Sequence, residues 1–188
     1  MTDRHPRLPP GQVGTDRFPV VTAVGAPKFD PSTWDFFVDG EVENPLRMTW
    51  REFLGLPRVT QRSDFHCWAG WSRLDDEWEG VLARTVVEMA RPKSSARYAL
   101  LVGEGQYTSN LPLEDLLDEG VLLALRFNAQ DIEPVHGGPV RALVPKKYGY
   151  KSVKWIRGFR LLEREELGYW EARGYSSSAD PWREERYA

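Results

Sequence analysis

Apolar segments in this chain are short, and glycine or proline closes nearly every one. That punctuation excludes long helices and leaves short strands joined by turns as the main way to build a core. Trp34, Phe36 and Val38 alternate with Asp35, Phe37 and Asp39 at strand period, and Asp39-Gly40 ends the run with a hairpin turn signal. Thr49-Trp50-Arg51-Glu52 has the form of a capping box ahead of Phe53 and Leu54, predicting a short helix stopped by Gly55 and Pro57. Arg58–His66 reads as a strand running into a loop, and Val81–Ala90 as a helix ended by Pro92. Tyr98–Val102 reads as a strand, and Pro112 opens another short helix that closes at Gly120. Val121–Phe127, Val140–Val144 and Ser152–Leu162 complete the predicted strands. Strands outnumber helices, so the expected fold class is α+β with mixed or antiparallel sheets rather than a doubly wound parallel sheet. The expected organisation is a loosely attached arm over residues 1–17, one domain over 18–175 and a tail over 176–188, with Tyr169, Trp170 and Tyr175 pinning the last stretch.

At 188 residues and 41% apolar the chain is large enough for one real core. Its single cysteine, Cys67, rules out an intramolecular disulfide, and no apolar run approaches the ~18 residues of a membrane span. The N-terminus has neither an apolar signal core nor twin arginines, which leads to an expectation of a cytoplasmic protein. A net charge of −3 conceals a strong asymmetry: Gly137–Arg160 holds seven basic residues and no acidic one. Such a segment suggests a locally held anion, although a solvated basic face is the commoner meaning of a charge run. Interleaved Tyr148, Tyr150, Trp155 and Phe159 also permit nucleic-acid binding, against which stands the negative total charge.

Three constellations could carry chemistry. Cys67 sits where a predicted strand gives way to a Gly-containing loop, a common place for functional groups, yet a lone cysteine is most often a small buried hydrophobe. One cysteine and three histidines make a four-ligand zinc site a poor reading. A single thiolate could still be the only protein ligand of a soft metal whose other ligands come from an organic cofactor, provided an anion site exists for that cofactor's phosphate. His136-Gly137-Gly138-Pro139-Val140-Arg141 offers donors across a turn whose glycines would let backbone approach a ligand closely. Tyr148–Lys154 supplies donors near a glycine turn, as in a phosphate-binding nest, and strand alternation would put Ser152 and Lys154 on the ligand side, away from Lys151 and Val153. Asp64, Glu79, Tyr107 and Tyr148 are unranked candidates for acid or base roles.

The stretch Phe65-His66-Cys67-Trp68-Ala69-Gly70-Trp71-Ser72, followed by Trp78-Glu79-Gly80-Val81, resembles the F-H-C-x-x-G-W-S…W-x-G-V block of the sulfite-oxidase-like molybdopterin oxidoreductases. His136-Gly137-Gly138-Pro139-Val140-Arg141…Val144-Pro145 and Tyr148-Gly149-Tyr150-Lys151-Ser152-Val153-Lys154-Trp155 are similar to the same family's H-G-x-P-x-R…V-P…Y-G-x-K-S-x-K-W block. The resemblance implies a single-domain α+β molybdopterin-binding fold and an enzyme carrying Mo-molybdopterin, with Cys67 as metal ligand and catalytic residue. It further implies cofactor contacts from His136, Arg141, Ser152, Val153 and Lys154, with backbone from Phe18 to Val21, Val20 included, lining the pterin pocket. Oxygen-atom transfer on a small-molecule substrate follows, with electrons exchanged with a separate protein. Where sulfite oxidases proper carry an arginine motif ahead of the cysteine, this chain has Phe18–Ala23, which argues against sulfite. Asn128-Ala129 also replaces the Asn-Gly common before the second block. The alternative is a domain without redox activity that binds a pterin, another anion or nucleic acid through residues 141–160.

Overall fold

Residues 6–23 and 25–188 are described by a computed structural model. The elements in chain order are β1 (Val13–Gly14), β2 (Asp35–Gly40), β3 (Leu46–Thr49), α1 (Trp50–Leu54), β4 (Val59–His66), β5 (Trp71–Leu82) and α2 (Ala83–Ala90). They continue with β6 (Tyr98–Gly103), β7 (Thr108–Pro112), α3 (Leu113–Leu116), β8 (Leu122–Phe127), β9 (Gln130–Asp131), β10 (Arg141–Leu143) and β11 (Ile156–Leu162).

Two sheets form. One is ordered β3-β2-β11-β6-β7, with β2 and β11 parallel and the other neighbours antiparallel. The other is built around β5, which carries β4 along one edge and β8 and β1 along the rest, with β10 and β9 added on β8. Both mixed and antiparallel pairing occur, as the short punctuated segments require. The alternation in β2 buries Trp34, Phe36 and Val38 in a main core with Phe53, Leu101 and Phe159. Each such side chain contributes roughly 1.5–3 kcal/mol on burial. The capping box is complete: Thr49 Oγ1 accepts from the Glu52 amide, and Glu52 accepts from the Thr49 amide at 2.8 Å. A second, smaller cluster of Phe65, Cys67, Trp78, Leu122 and Leu143 lies in the β5 sheet.

Several expectations change. The twelve-residue β5 and the strand β7 were not foreseen, and the helix expected from Val81 starts at Ala83 because Val81 and Leu82 still pair with β8. The strand expected from Ser152 begins only at Ile156. Gly149–Lys151 forms a 3-10 turn instead, and Trp155 takes φ +49 just before the strand. The arm is not loose in its described part: β1 pairs in parallel with β5, Gln12 is buried, and Arg7 forms ion pairs with Asp64 and Asp75. Residues 176–188 are likewise docked. Arg186 donates to the Trp68 carbonyl, Trp68 Nε1 donates to the Arg186 carbonyl at 3.3 Å, and Ala179 is fully buried.

Candidate functional site

Antiparallel pairing of β4 with β5 forces a tight reversal over Cys67–Gly70. The Cys67 amide donates to the Trp71 carbonyl at 2.8 Å and the Gly70 amide to the Cys67 carbonyl at 3.1 Å. Gly70 takes φ +95, a conformation costly for any residue with a Cβ. Inside this turn the Cys67 Sγ accepts from the Ala69 amide at 3.5 Å. Burial pushes the thiol pKa up, while the Ala69 amide, Arg141, Arg186 and Lys154 pull it down. The thiol is therefore neutral when alone and surrounded by groups that favour the thiolate.

Arg141 and Lys154 differ from every other cation of the basic segment. Lys146 pairs with Asp118, Lys147 with Asp115 at 2.8 Å, Lys151 with Glu171, Arg157 with Asp35 and Glu104, and Arg160 with Asp39 at 2.9 Å. Arg141 and Lys154 have no carboxylate partner among the described residues. Arg141, 2% exposed, donates to the His136 carbonyl at 2.7 Å and the Ser152 carbonyl at 3.0 Å, with its guanidinium 5.3 Å from the Phe65 ring centroid and 5.7 Å from that of Phe18. Lys154 Nζ donates to the Val135 carbonyl at 2.7 Å. Burial pushes Arg141 down to about 10 and Lys154 down to about 8, the latter also under repulsion from Arg141. Two desolvated cations facing only carbonyl dipoles and ring faces are chemically incomplete without an anion.

Two adjoining cavities meet this turn and share the walls Trp68, Ala69, Gly149, Trp170 and Tyr175. Cys67 lines the smaller, of about 110 Å³, and Ser152 and Lys154 line the larger, of about 300 Å³. Lys151 and Val153 are fully buried away from them, so Ser152 and Lys154 do share a side even though no strand runs there. Ser152 Oγ accepts from the Val144 amide at 2.9 Å, which leaves its own hydroxyl hydrogen to donate. Val153 lines neither cavity, and its carbonyl accepts from the Ala142 amide at 2.8 Å.

His136 lies under Phe18, its ring stacked at 4.6 Å and its Nε2 2.9 Å from the Phe18 carbonyl. Phe18 lines the smaller cavity and so screens both His136 and Arg141 from it. Val20 is 52% exposed, while its neighbours Pro19 and Val21 line the smaller cavity.

Gly137, at φ +106, leaves room for the Lys154 side chain: a Cβ would stand 2.9 Å from Lys154 Cβ. The amides of Lys151, Ser152 and Val153 are spent on nearby carbonyls. Of the four acid–base candidates only Tyr107 lines one of these two cavities, and its hydroxyl donates to the Tyr150 carbonyl at 2.9 Å, whereas Asp64 lines a separate cavity with Arg7 and His66. Asp64 faces Arg7 and Glu79 lies between Arg58 and Arg126, while Tyr148 packs beneath Arg186. The aromatic wall of Trp170 stacked on Tyr175 and Tyr175 stacked on Trp68 was missed. Its only sequence signal was the density of rings after Gly168. No three His, Cys, Asp or Glu side chains converge among the described residues, so a metal held here would draw most of its ligands from elsewhere.

Comparison with known proteins gives a consistent result. Residues 23–170 match the oxidoreductase molybdopterin binding domain. The oxidoreductase YuiH of Bacillus subtilis is 38% identical over 99% of this chain and 94% of its own length. The protein-methionine-sulfoxide reductase catalytic subunit MsrP of Campylobacter jejuni is 27% identical over 78% of this chain, which spans only 55% of that protein. The sulfane dehydrogenase SoxCD from Paracoccus pantotrophus shares the fold, with a TM-score of 0.67 at 24% identity over 74% of this chain and 41% of that one. The chain belongs to the sulfite-oxidase-like family of molybdopterin-binding oxidoreductases.

Proposed function

We propose that the protein moves an oxygen atom to or from a small substrate at a molybdenum centre whose single protein ligand is the Cys67 thiolate. The observation that carries this reading is the pair Arg141 and Lys154, cations without carboxylates within electrostatic reach of one buried thiol. Their charge suits both an anionic cofactor and an ionised sulfur, so the donor set fits Mo-molybdopterin. When bound, that cofactor supplies two-electron redox chemistry. Lys154, with one of its three N–H groups on Val135, offers the others to a phosphate, and Ser152 offers its hydroxyl. Arg141 acts from behind, holding the His136 and Ser152 carbonyls and stabilising the Cys67 thiolate. Direct contact from His136 or Arg141 requires the Phe18 ring to move aside. Backbone near Val20 completes the pterin pocket in this reading, whereas Val153 supports the wall from beneath.

The name of the Campylobacter jejuni relative, a methionine-sulfoxide reductase, supports oxygen-atom transfer as the reaction class. That relative is named as a catalytic subunit, which supports electron exchange with a separate protein, and the lone thiol suits the reducing cytoplasm. The test is to produce the chain in a host that loads a control molybdoenzyme, then measure metal and released pterin fluorescence. The expected result is close to one molybdenum per chain, with Cys67→Ser losing at least about 100-fold in turnover. Protein free of metal and pterin, or a Cys67→Ser variant that turns over normally, overturns the proposal.

A further inference from the structure

The Cys67 turn is held from outside by a segment far away in the chain. The Val13 amide donates to the Gly70 carbonyl at 3.0 Å and the Thr15 amide to the Ser72 carbonyl at 2.9 Å. Just before them in the chain Gln12, 8% exposed, donates from Nε2 to the Cys67 carbonyl at 3.1 Å across 55 residues of chain. The other end of the same amide is also engaged, since Ser72 Oγ donates to Gln12 Oε1 at 3.1 Å. Ser72 Oγ lies 2.8 Å from His66 Nδ1. With its hydrogen committed to Gln12, Ser72 accepts there, which assigns His66 the Nδ1–H tautomer. A ring of hydrogen bonds thus starts at His66, passes through Ser72 and Gln12, and returns to the carbonyl of Cys67, the next residue. All three bonds point the same way, an arrangement in which each polarises the next.

We propose that Gln12 is a positioning residue: it clamps the Cys67 carbonyl so that Sγ stays under the Ala69 amide and oriented for its ligand role. The proposal rests on the reading of Cys67 as metal ligand. Only a primary amide serves, because the position needs a donor toward Cys67 and an acceptor toward Ser72 within one buried side chain. A carboxylate lacks the donor and would set charge against the carbonyl, and a thioether lacks both. The site is therefore complete only when the N-terminal segment is docked on β5.

The sole cysteine makes the test clean. In metal-free protein, the rate of Cys67 alkylation by iodoacetamide is compared for wild type, Gln12→Met, Gln12→Glu and Ser72→Ala, with far-UV circular dichroism confirming the fold. Gln12→Met and Gln12→Glu are expected to alkylate at least about 10-fold faster and Ser72→Ala by a smaller factor. In loaded protein the thiolate-to-metal absorption band is expected to shift in the same order. If Gln12→Met does not fold, Ser72→Ala, which removes no backbone contact, decides the matter. Folded variants with wild-type alkylation rates and an unmoved band overturn the proposal. Failure of the ligand reading shows differently: Cys67→Ser would keep its metal, while the alkylation rates of the Gln12 variants would still rise.

Discussion

Two groups of cations share one twenty-residue stretch, and tertiary structure treats them in opposite ways. Lys146, Lys147, Lys151, Arg157 and Arg160 each find a carboxylate, four of them at partly exposed sites and Lys151 in the fully buried pair with Glu171. Arg141 and Lys154 face carbonyls and rings beside the one thiol. The difference teaches that a charge run says how much positive charge a segment carries, and its partners say how much is available to a ligand. Five of the seven charges are matched by carboxylates, and the remaining two have no carboxylate partner among the described residues.

Breaking the buried member of the paired group should have the largest effect. Lys151→Met leaves Glu171 charged and buried with Ser109 Oγ still donating to it, and is expected to cost about 3–5 kcal/mol in urea unfolding. Adding Glu171→Leu should recover most of that loss, because the desolvation cost goes with the charge. Arg141→Met is expected to cost less stability, about 1–3 kcal/mol for the stranded His136 and Ser152 carbonyls, and to weaken pterin retention by about 10–100-fold. Equal pterin retention in these two single variants would erase the distinction between the groups.

Lys154 provides a pH-dependent version of the comparison. The folded, metal-free protein releases this proton near pH 8, whereas the unfolded chain keeps it to about 10.5. The unfolded state binds more protons in that window, so stability rises as pH climbs from about 8 to 10.5. Lys154→Met should lack this rise in thermal unfolding followed from pH 7 to 10. A bound phosphate reverses the preference, since it interacts with the charged form, and anion affinity should fall above pH 8 in wild type only. The smallest effect is expected at the rim: Arg160→Ala, which removes an exposed pair with Asp39, should change stability by less than about 1 kcal/mol and leave pterin content unchanged.

Local features were readable in advance. The alternation of β2, the Thr49–Glu52 capping box and the helix after Pro112 all involve residues within a few positions of one another. The strand β5 escaped notice because Arg73-Leu74-Asp75-Asp76-Glu77 shows no apolar period. What makes it a strand is pairing on both edges, with Asp76 buried against Arg73 at 2.6 Å. In the site, Cys67, Ser152 and Lys154 stood in readable blocks and do line the adjoining cavities. Gln12, Trp170 and Tyr175 did not, since nothing near them in sequence says which surface they meet.

By itself the sequence determined the fold class, the single thiol and the count of charges, because these depend on residue type, short-range spacing and turn chemistry, and its motif blocks carried the resemblance to the family. Tertiary structure alone decided which charges remain free and which arm clamps the thiol's turn. Arg157 reaches Asp35 across 122 residues and Gln12 reaches Cys67 across 55. Whether a charge is matched depends on distance and burial, and both are set only when the sheets close and water leaves.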